Sequence, residues 1–240
     1  MITRRHFLQL SSVALLESLT SKVQAHPPVP KKVVVFSGHT AKGGNKGALS
    51  CQGRYEFVYN DEVVKRLGEK SNHSLDYYPV LATSNVHLYQ RPQMAQRIQA
   101  DAYLEIHHDS MLQRYREQMR DVPANDQRWQ EFGGFSLYYY PDNIFARQSR
   151  QLAERIADEL LIFLHPDSYH YTHEGLQVVD KLRAVYSRNL YVNRHARMPS
   201  VVVECGSIVK PAEEAFLSRS ETRQRLAESI AVGVRKFFNL

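Results

Sequence analysis

The stretch VVVFSGHTAKGG, residues 33–44, runs four apolar residues into a small polar turn and places His39 at its lip. A short, unbroken run of β-branched and aromatic residues reads as a strand that is apolar on both faces, which suits a sheet covered by helices on either side. The run extends back to KVVVFSG (32–38), and comparable runs stand at LDYYPV (75–80), AYLEIHH (102–108), GFSLYYYP (134–141) and SVVVECG (200–206). Between them lie patterns of helical period at 55–70, 91–100, 143–164, 175–189 and 221–239. Strands alternating with helices predict an α/β fold: a single domain with a twisted, mostly parallel central sheet and helices on both faces.

Composition agrees with one globular domain. The 240 residues are 43% apolar and 23% charged, with a formal net charge of +6. The N-terminus reads TRRHFLQLSSVALLESLTSKVQA, with an arginine pair (Arg4, Arg5), then Phe7 and Leu8, a modestly apolar stretch and small residues up to Ala25. This resembles a twin-arginine export signal with Val23-Gln24-Ala25 as its cleavage site, so residues 1–25 are expected to be a signal peptide and 26–240 the mature domain. Its removal takes away Arg4, Arg5, Lys22 and Glu17 and leaves a formal charge of +4. A mild basic excess suits an anionic polymer. The mature chain shows no Lys/Arg run or aromatic-basic array of the kind nucleic-acid binders carry, so nucleic acid is not expected as a partner. No stretch approaches the length of apolar sequence that spans a bilayer, so no membrane span is expected in the mature chain. Cys51 and Cys205 are the only cysteines. They exclude a disulfide framework and a cysteine zinc site, and leave one bridge or two separate thiols open.

In open α/β sheets ligands bind beyond the carboxyl ends of the strands. His39 follows the first strand, His107 closes the third and Glu204 closes the last, while Glu56 stands at the start of the first helix, where the dipole favours a carboxylate. Two histidines and a glutamate are a donor set for a hydrolytic metal site. A further carboxylate outside that set would move the protons. Alternation along a strand points His107 and His108 to opposite faces.

The order and surroundings of these residues resemble the zinc-dependent N-acetylmuramoyl-L-alanine amidases. VVVFSGHTAKGGNKGA (33–48) is similar to that family's Gly-His turn, and YEFVYND (55–61) to its Glu followed four residues later by Asn, here Glu56 and Asn60. ADAYLEIHHDS (100–110) is similar to its Ala-Asp-strand-Ile-His, and ARMPSVVVECGSIVKPAEE (196–214) to its Met-Pro-strand-Glu-x-Gly ending, with Glu213 or Glu214 in the tail. The sequence departs from the family pattern at Ser37, Thr40, His108 and Ser207, none of them a metal donor. The resemblance implies Zn2+ held by His39, Glu56 and His107, with Glu204 as the catalytic carboxylate and Gly38 giving the turn freedom to aim His39. It implies hydrolysis of the bond between the lactyl group of N-acetylmuramic acid and L-alanine in peptidoglycan, and the twin-arginine-like N-terminus sets the expected place of action outside the cytoplasm, periplasmic or extracellular. The other readings are a zinc amidohydrolase or carboxypeptidase on small peptides, and a cell-wall-binding relative that has lost catalysis.

Two segments fall outside these motifs. Histidines 165, 170 and 173 crowd LHPDSYHYTHEGL (164–176), which fits a polar loop near the substrate, its HEGL resembling a family Arg-Gly-Leu turn. Residues 111–134, with four arginines and four acids, look inserted between two strands and must emerge at the rim of the site. In cell-division relatives of the family an inhibitory helix follows the same strand. By that resemblance Glu117 or Glu131 would reach the metal, Trp129 and Phe132 would fasten the segment, and an activator protein would lift it; read from its charge and Pro123, the segment is instead a solvated surface loop or a wall of the substrate groove.

Overall fold

A computed structural model describes residues 29–167 and 176–240. The expected signal peptide, His170 and His173 lie outside the described residues. Strand β1 (Lys31–Ser37) carries Val33, Val34, Val35 and Phe36 fully buried, because it runs between β2 (Leu75–Val80) and β3 (Ala102–Asp109), parallel to both. β7 (Ser200–Ser207) pairs in parallel on the far side of β3 and is buried along its whole length. A continuous apolar run and a central place in the sheet are two aspects of one requirement, since both faces must be apolar where helices cover both.

The expected α/β architecture is present, in a seven-stranded sheet of order β2-β1-β3-β7-β4-β6-β5. β4 (Ser136–Tyr139) runs antiparallel to β7 and parallel to β6 (Val185–Ser187), and β5 (Gln177–Asp180) closes the edge antiparallel to β6. Helices α1 (Glu56–Gly68), α4 (Ala146–Leu160) and α6 (Ser220–Phe238) pack side by side. The short α2 (Arg91–Ile98) and α5 (Tyr191–His195) pack together, against β1 and β7 respectively. The two layers lie on opposite faces: Glu105 of β3 meets Arg91 of α2, whereas His108, three residues on, meets Asn60 of α1.

The helix expected at 175–189 is instead the β5–β6 hairpin. Leu176, Val179, Leu182 and Val185 have helical spacing, but Asp180 turns the chain by accepting from the backbone N–H groups of Leu182 and Arg183 at 3.0 and 3.2 Å, and Ala184 takes a left-handed φ of 49°. Pairing of Val185, Tyr186 and Ser187 with β4 overrides the local periodicity.

The insertion 111–134 is folded. It contains α3 (Gln113–Met119) and a 3-10 turn (Gln127–Glu131). Met111, Met119, Trp129 and Phe132 bury against Val209 as a small apolar cluster of their own. Trp129 and Phe132 therefore fasten the segment as expected. Cys51 is an exposed thiol and Cys205 a buried one, both free. Among the described residues no helix is long and apolar enough to cross a membrane.

Candidate metal centre

β1 ends at the carboxyl edge of the sheet, where the Gly38 N–H still donates to the Ile106 carbonyl at 2.8 Å and keeps the turn in register with β3. The freedom expected of Gly38 is located elsewhere. It is His39 that adopts the left-handed conformation, φ 67°, at a cost on the order of 1–2 kcal/mol for a residue with a Cβ. Gly38 is required for space: a Cβ there would stand 2.4 Å from His107 Cε1 and 2.5 Å from both ring nitrogens. Gly47, which the sequence reading passed over, has φ 80°, and its Cβ would meet Glu56 Oε2 at 2.5 Å and His39 Cδ2 at 2.7 Å. Two glycines thus leave the volume into which the donor side chains fold.

Glu56 opens α1 with its own N–H donating to the Ala48 carbonyl at 2.9 Å, and its carboxylate faces back over the sheet edge. His39 Nε2 lies 2.9 Å from Glu56 Oε2, and His107 Nδ1 lies 2.9 Å from Glu56 Oε1. The two imidazoles meet edge to face with centroids 4.9 Å apart. One donor atom from each of His39, Glu56 and His107 lies within 4.8 Å of the others, so the three residues could hold a metal ion. The Glu56 carboxylate also accepts from the N–H groups of Ala48 and His108 and from the Asn60 amide. Burial opposes its charge, but hydrogen bonds from His107 and His39 hold it well below the usual carboxylate range. Burial likewise opposes charging of His107, yet its contacts with Glu105 and Glu56 raise it well above the ordinary value. Two imidazole nitrogens and a carboxylate oxygen converging on one point are a donor set suited to a divalent cation.

His107 and His108 separate as alternation requires. The His108 ring turns to Asn60 Oδ1 at 2.8 Å, and burial pushes its pKa down to about 3, so it is a neutral packing residue. Glu204 sits on β7 directly opposite His107 in the register, outside the donor set and 8% exposed. Its Oε2 accepts no hydrogen bond from the described residues. Burial drives its pKa up to about 8, with the negative Glu56 and Asp167 adding to the shift and His107 and Arg188 opposing it. Asp109, one strand step from the site and also buried, is raised well above the usual range by burial and by Glu204.

These groups line one side of a cleft of about 720 Å3, whose other wall includes Leu88, Tyr89, Arg188 and Tyr191. Glu213 and Glu214 do other work. Glu213 accepts from the N–H groups of Ser207 and Gly134, and Glu214 accepts from the Tyr59 hydroxyl and the Gln52 N–H, so together they brace the loops behind the site. Of the inserted segment, Arg116 reaches the cleft. Glu117, expected to turn inward, lines a neighbouring cavity of about 620 Å3 with Arg120 and Trp129. His165 lies beside Gly134, its Nδ1 3.4 Å from the Pro166 carbonyl.

Three donors converging beside a carboxylate that is not one of them, at the carboxyl edge of an α/β sheet, is the layout of a metal-assisted hydrolase. The sequence matches the N-acetylmuramoyl-L-alanine amidase family over residues 33–236, and the chain belongs to that family. It is 25% identical over 236 residues to N-acetylmuramoyl-L-alanine amidase LytC of Bacillus subtilis, covering 97% of this chain and 40% of LytC. It is 26% identical to the uncharacterized protein YqiI of the same species, covering 97% of this chain and 96% of YqiI. The chain thus spans well under half of LytC and nearly all of YqiI. Among solved structures, an N-acetylmuramoyl-L-alanine amidase from Clostridium difficile 630 superposes with a TM-score of 0.63 at 20% identity, covering 88% of this chain and 98% of that one. The CwlD amidase from Clostridioides difficile in complex with the GerS lipoprotein superposes at 0.59 and 20% identity, covering 87% and 98%. At these identities the likeness is one of fold.

Proposed function

We propose that the chain is a zinc-dependent peptidoglycan amidase that hydrolyses the amide between the lactyl group of N-acetylmuramic acid and L-alanine. The observation that carries the reading is the convergence of His39, Glu56 and His107 on one point, with Glu204 opposite His107 and outside the set. The donors fit zinc in number and kind: two imidazoles and a carboxylate, with an acceptor on the outer nitrogen of each ring, Asn45 Oδ1 at 2.7 Å from His39 Nδ1 and Glu105 Oε1 at 3.1 Å from His107 Nε2. Zinc bound there would supply Lewis acidity toward water and the amide carbonyl.

The chain's own residues account for the proton traffic. Glu204 accepts a proton from the attacking water and returns it to the leaving amine, for which a carboxylate raised toward neutrality is suited. Its low exposure limits the access of bulk water that would compete for that proton. Tyr89, two-thirds exposed, and Tyr191 stand edge to face at 4.8 Å on the opposite wall and offer apolar surface to a polymer lying in the cleft. The formal charge of +4 expected after loss of residues 1–25 suits an anionic wall polymer, and the Arg4-Arg5 signal supports action outside the cytoplasm. The GerS complex solved for the CwlD amidase supports a protein partner for this chain as well.

The test is to incubate zinc-loaded protein with purified sacculi and with small acyl amino acids. New L-alanine amino termini from sacculi, abolished by a chelator and restored by zinc, support the reading. Turnover of the small substrates alone moves it to the peptidase alternative, and zinc binding with turnover of neither moves it to the wall-binding one.

A further inference from the structure

Glu105 interrupts the apolar β3 strand and is nearly inaccessible, at 2% exposure, as is Arg91 of α2 at 3%. A buried pair of charges on this scale persists where its geometry is good and its remaining valences are filled. Here they are. Arg91 Nη1 donates to Glu105 Oε1 at 2.7 Å, Nη2 to the His39 carbonyl at 2.5 Å and Nε to the Val86 carbonyl at 3.2 Å. The Tyr103 hydroxyl donates to the other oxygen of Glu105. The remaining contact of Glu105 Oε1 is with His107 Nε2, at 3.1 Å.

From this geometry we infer that Arg91 and Glu105 are positioning residues for the metal centre, one guanidinium holding both histidine donors at once; the inference rests on the metal-site reading above. Glu105 accepts the Nε2–H of His107, which fixes the tautomer with a free lone pair on Nδ1, the nitrogen that faces Glu56 at 2.9 Å. Arg91 fixes Glu105 and, through the carbonyl, clamps His39 in its left-handed conformation. The arrangement has a counterpart on the other ring, where Asn45 takes the Nδ1 side of His39 and leaves Nε2 toward Glu56. Structural packing alone would need neither the second Arg91 contact nor alignment of Glu105 with a ring nitrogen.

The zinc affinity of wild type, Glu105→Ala, Glu105→Gln and Arg91→Lys is measured by competition with a chromophoric chelator, with circular dichroism of the metal-free proteins as the fold control. Loss of a carboxylate that orients a metal-bound histidine typically weakens binding about 10–100-fold. That range is expected for Glu105→Ala, with partial recovery in Glu105→Gln, which keeps an acceptor oxygen, and a loss in Arg91→Lys, which cannot span both partners. Glu105→Ala binding within about twofold of wild type overturns the inference. Should that variant not fold, 15N spectra of zinc-loaded wild type decide it. A protonated Nε2 and metallated Nδ1 on His107 are expected, and the opposite tautomer overturns the inference. Wild type that binds no zinc refutes the metal-site reading itself, whereas wild type that binds zinc as tightly as Glu105→Ala refutes this inference alone.

Discussion

Replacing Gly38 by alanine tests the site through a residue that touches no metal. Its Cβ would lie 2.4 Å from His107 Cε1, where ordinary carbon contacts begin near 3.5 Å, so the ring must retreat by about 1 Å. The His107 contacts with Glu56 at 2.9 Å and Glu105 at 3.1 Å lie at opposite ring nitrogens, and a ring pushed that far cannot keep both. Charge-assisted hydrogen bonds are worth about 1.5–3 kcal/mol each, and the unfolded-chain entropy gained from Gly→Ala returns only about 0.4–1 kcal/mol, because φ at Gly38 is not in the left-handed region. With one of the two bonds lost, the net loss expected for the metal-free protein is about 0.5–2.5 kcal/mol, read as a fall in Tm of roughly 5 °C for a domain of this size. Metal–ligand distances tolerate only about 0.2 Å, so His107 ceases to be a donor, and zinc binding weakens by more than about a hundredfold, beyond the effect of losing a supporting residue. Thermal unfolding of the metal-free variant and zinc competition measure the two effects separately. A Gly38→Ala protein with wild-type Tm and wild-type zinc affinity would refute the placement of the His107 ring against the β1 turn.

Three further outcomes are expected. Glu204→Gln binds zinc as wild type but loses about a hundredfold to ten-thousandfold in rate on sacculi, since an amide cannot take the proton; near-normal turnover removes Glu204 from the reaction. Replacing residues 113–131 by a Gly-Ser linker lowers turnover of sacculi with zinc retained, because Arg116 is lost from the cleft wall; a rise in basal rate would mean instead that the segment restrains the enzyme. Substituting lysine for both Arg4 and Arg5 retains the unprocessed chain in the cytoplasm on fractionation, and unchanged delivery outside it excludes the twin-arginine route.

The centre of the sheet was legible because its strands are buried on both faces, which leaves a one-dimensional trace: Val33–Phe36 and Val201–Val203 have no polar residue to confuse the period. The edge was not. β5 is half exposed, and its hairpin is set by the Asp180 turn and by pairing with β4, neither of which shows in the spacing of Leu176, Val179 and Leu182. In the site, His39 and His107 stood at strand ends and Glu56 at a helix start, so the candidate donors could be named from position and resemblance, whereas Arg91 and Asn45 lie in a helix and a loop whose approach is decided only by folding. Glu105 did leave a signal, a lone charge inside a buried strand two residues before His107. A carboxylate in that place must have a partner, since its burial uncompensated would cost several kcal/mol.

That signal also explains why three side chains of β3, Glu105, His107 and His108, serve three purposes. The pleat sends Glu105 and His107 to the α2 face and Ile106 and His108 to the α1 face, so Glu105 can support His107 from the same side while His108 is packed away against Asn60. The parallel register then sets His107 beside Glu204 of β7, and the β1 turn brings His39 over both from the other neighbour. Only Glu56 comes from outside the sheet, from the helix whose first turn favours an anion. A one-residue slip of β3 against β1 and β7 would exchange the roles of His107 and His108 and carry Glu105 from Arg91 into the apolar layer under α1, leaving a buried guanidinium without its carboxylate. The buried Arg91–Glu105 pair therefore penalises the slipped register by the same contact that holds the candidate donor His107, and fold and candidate site are specified together at this strand.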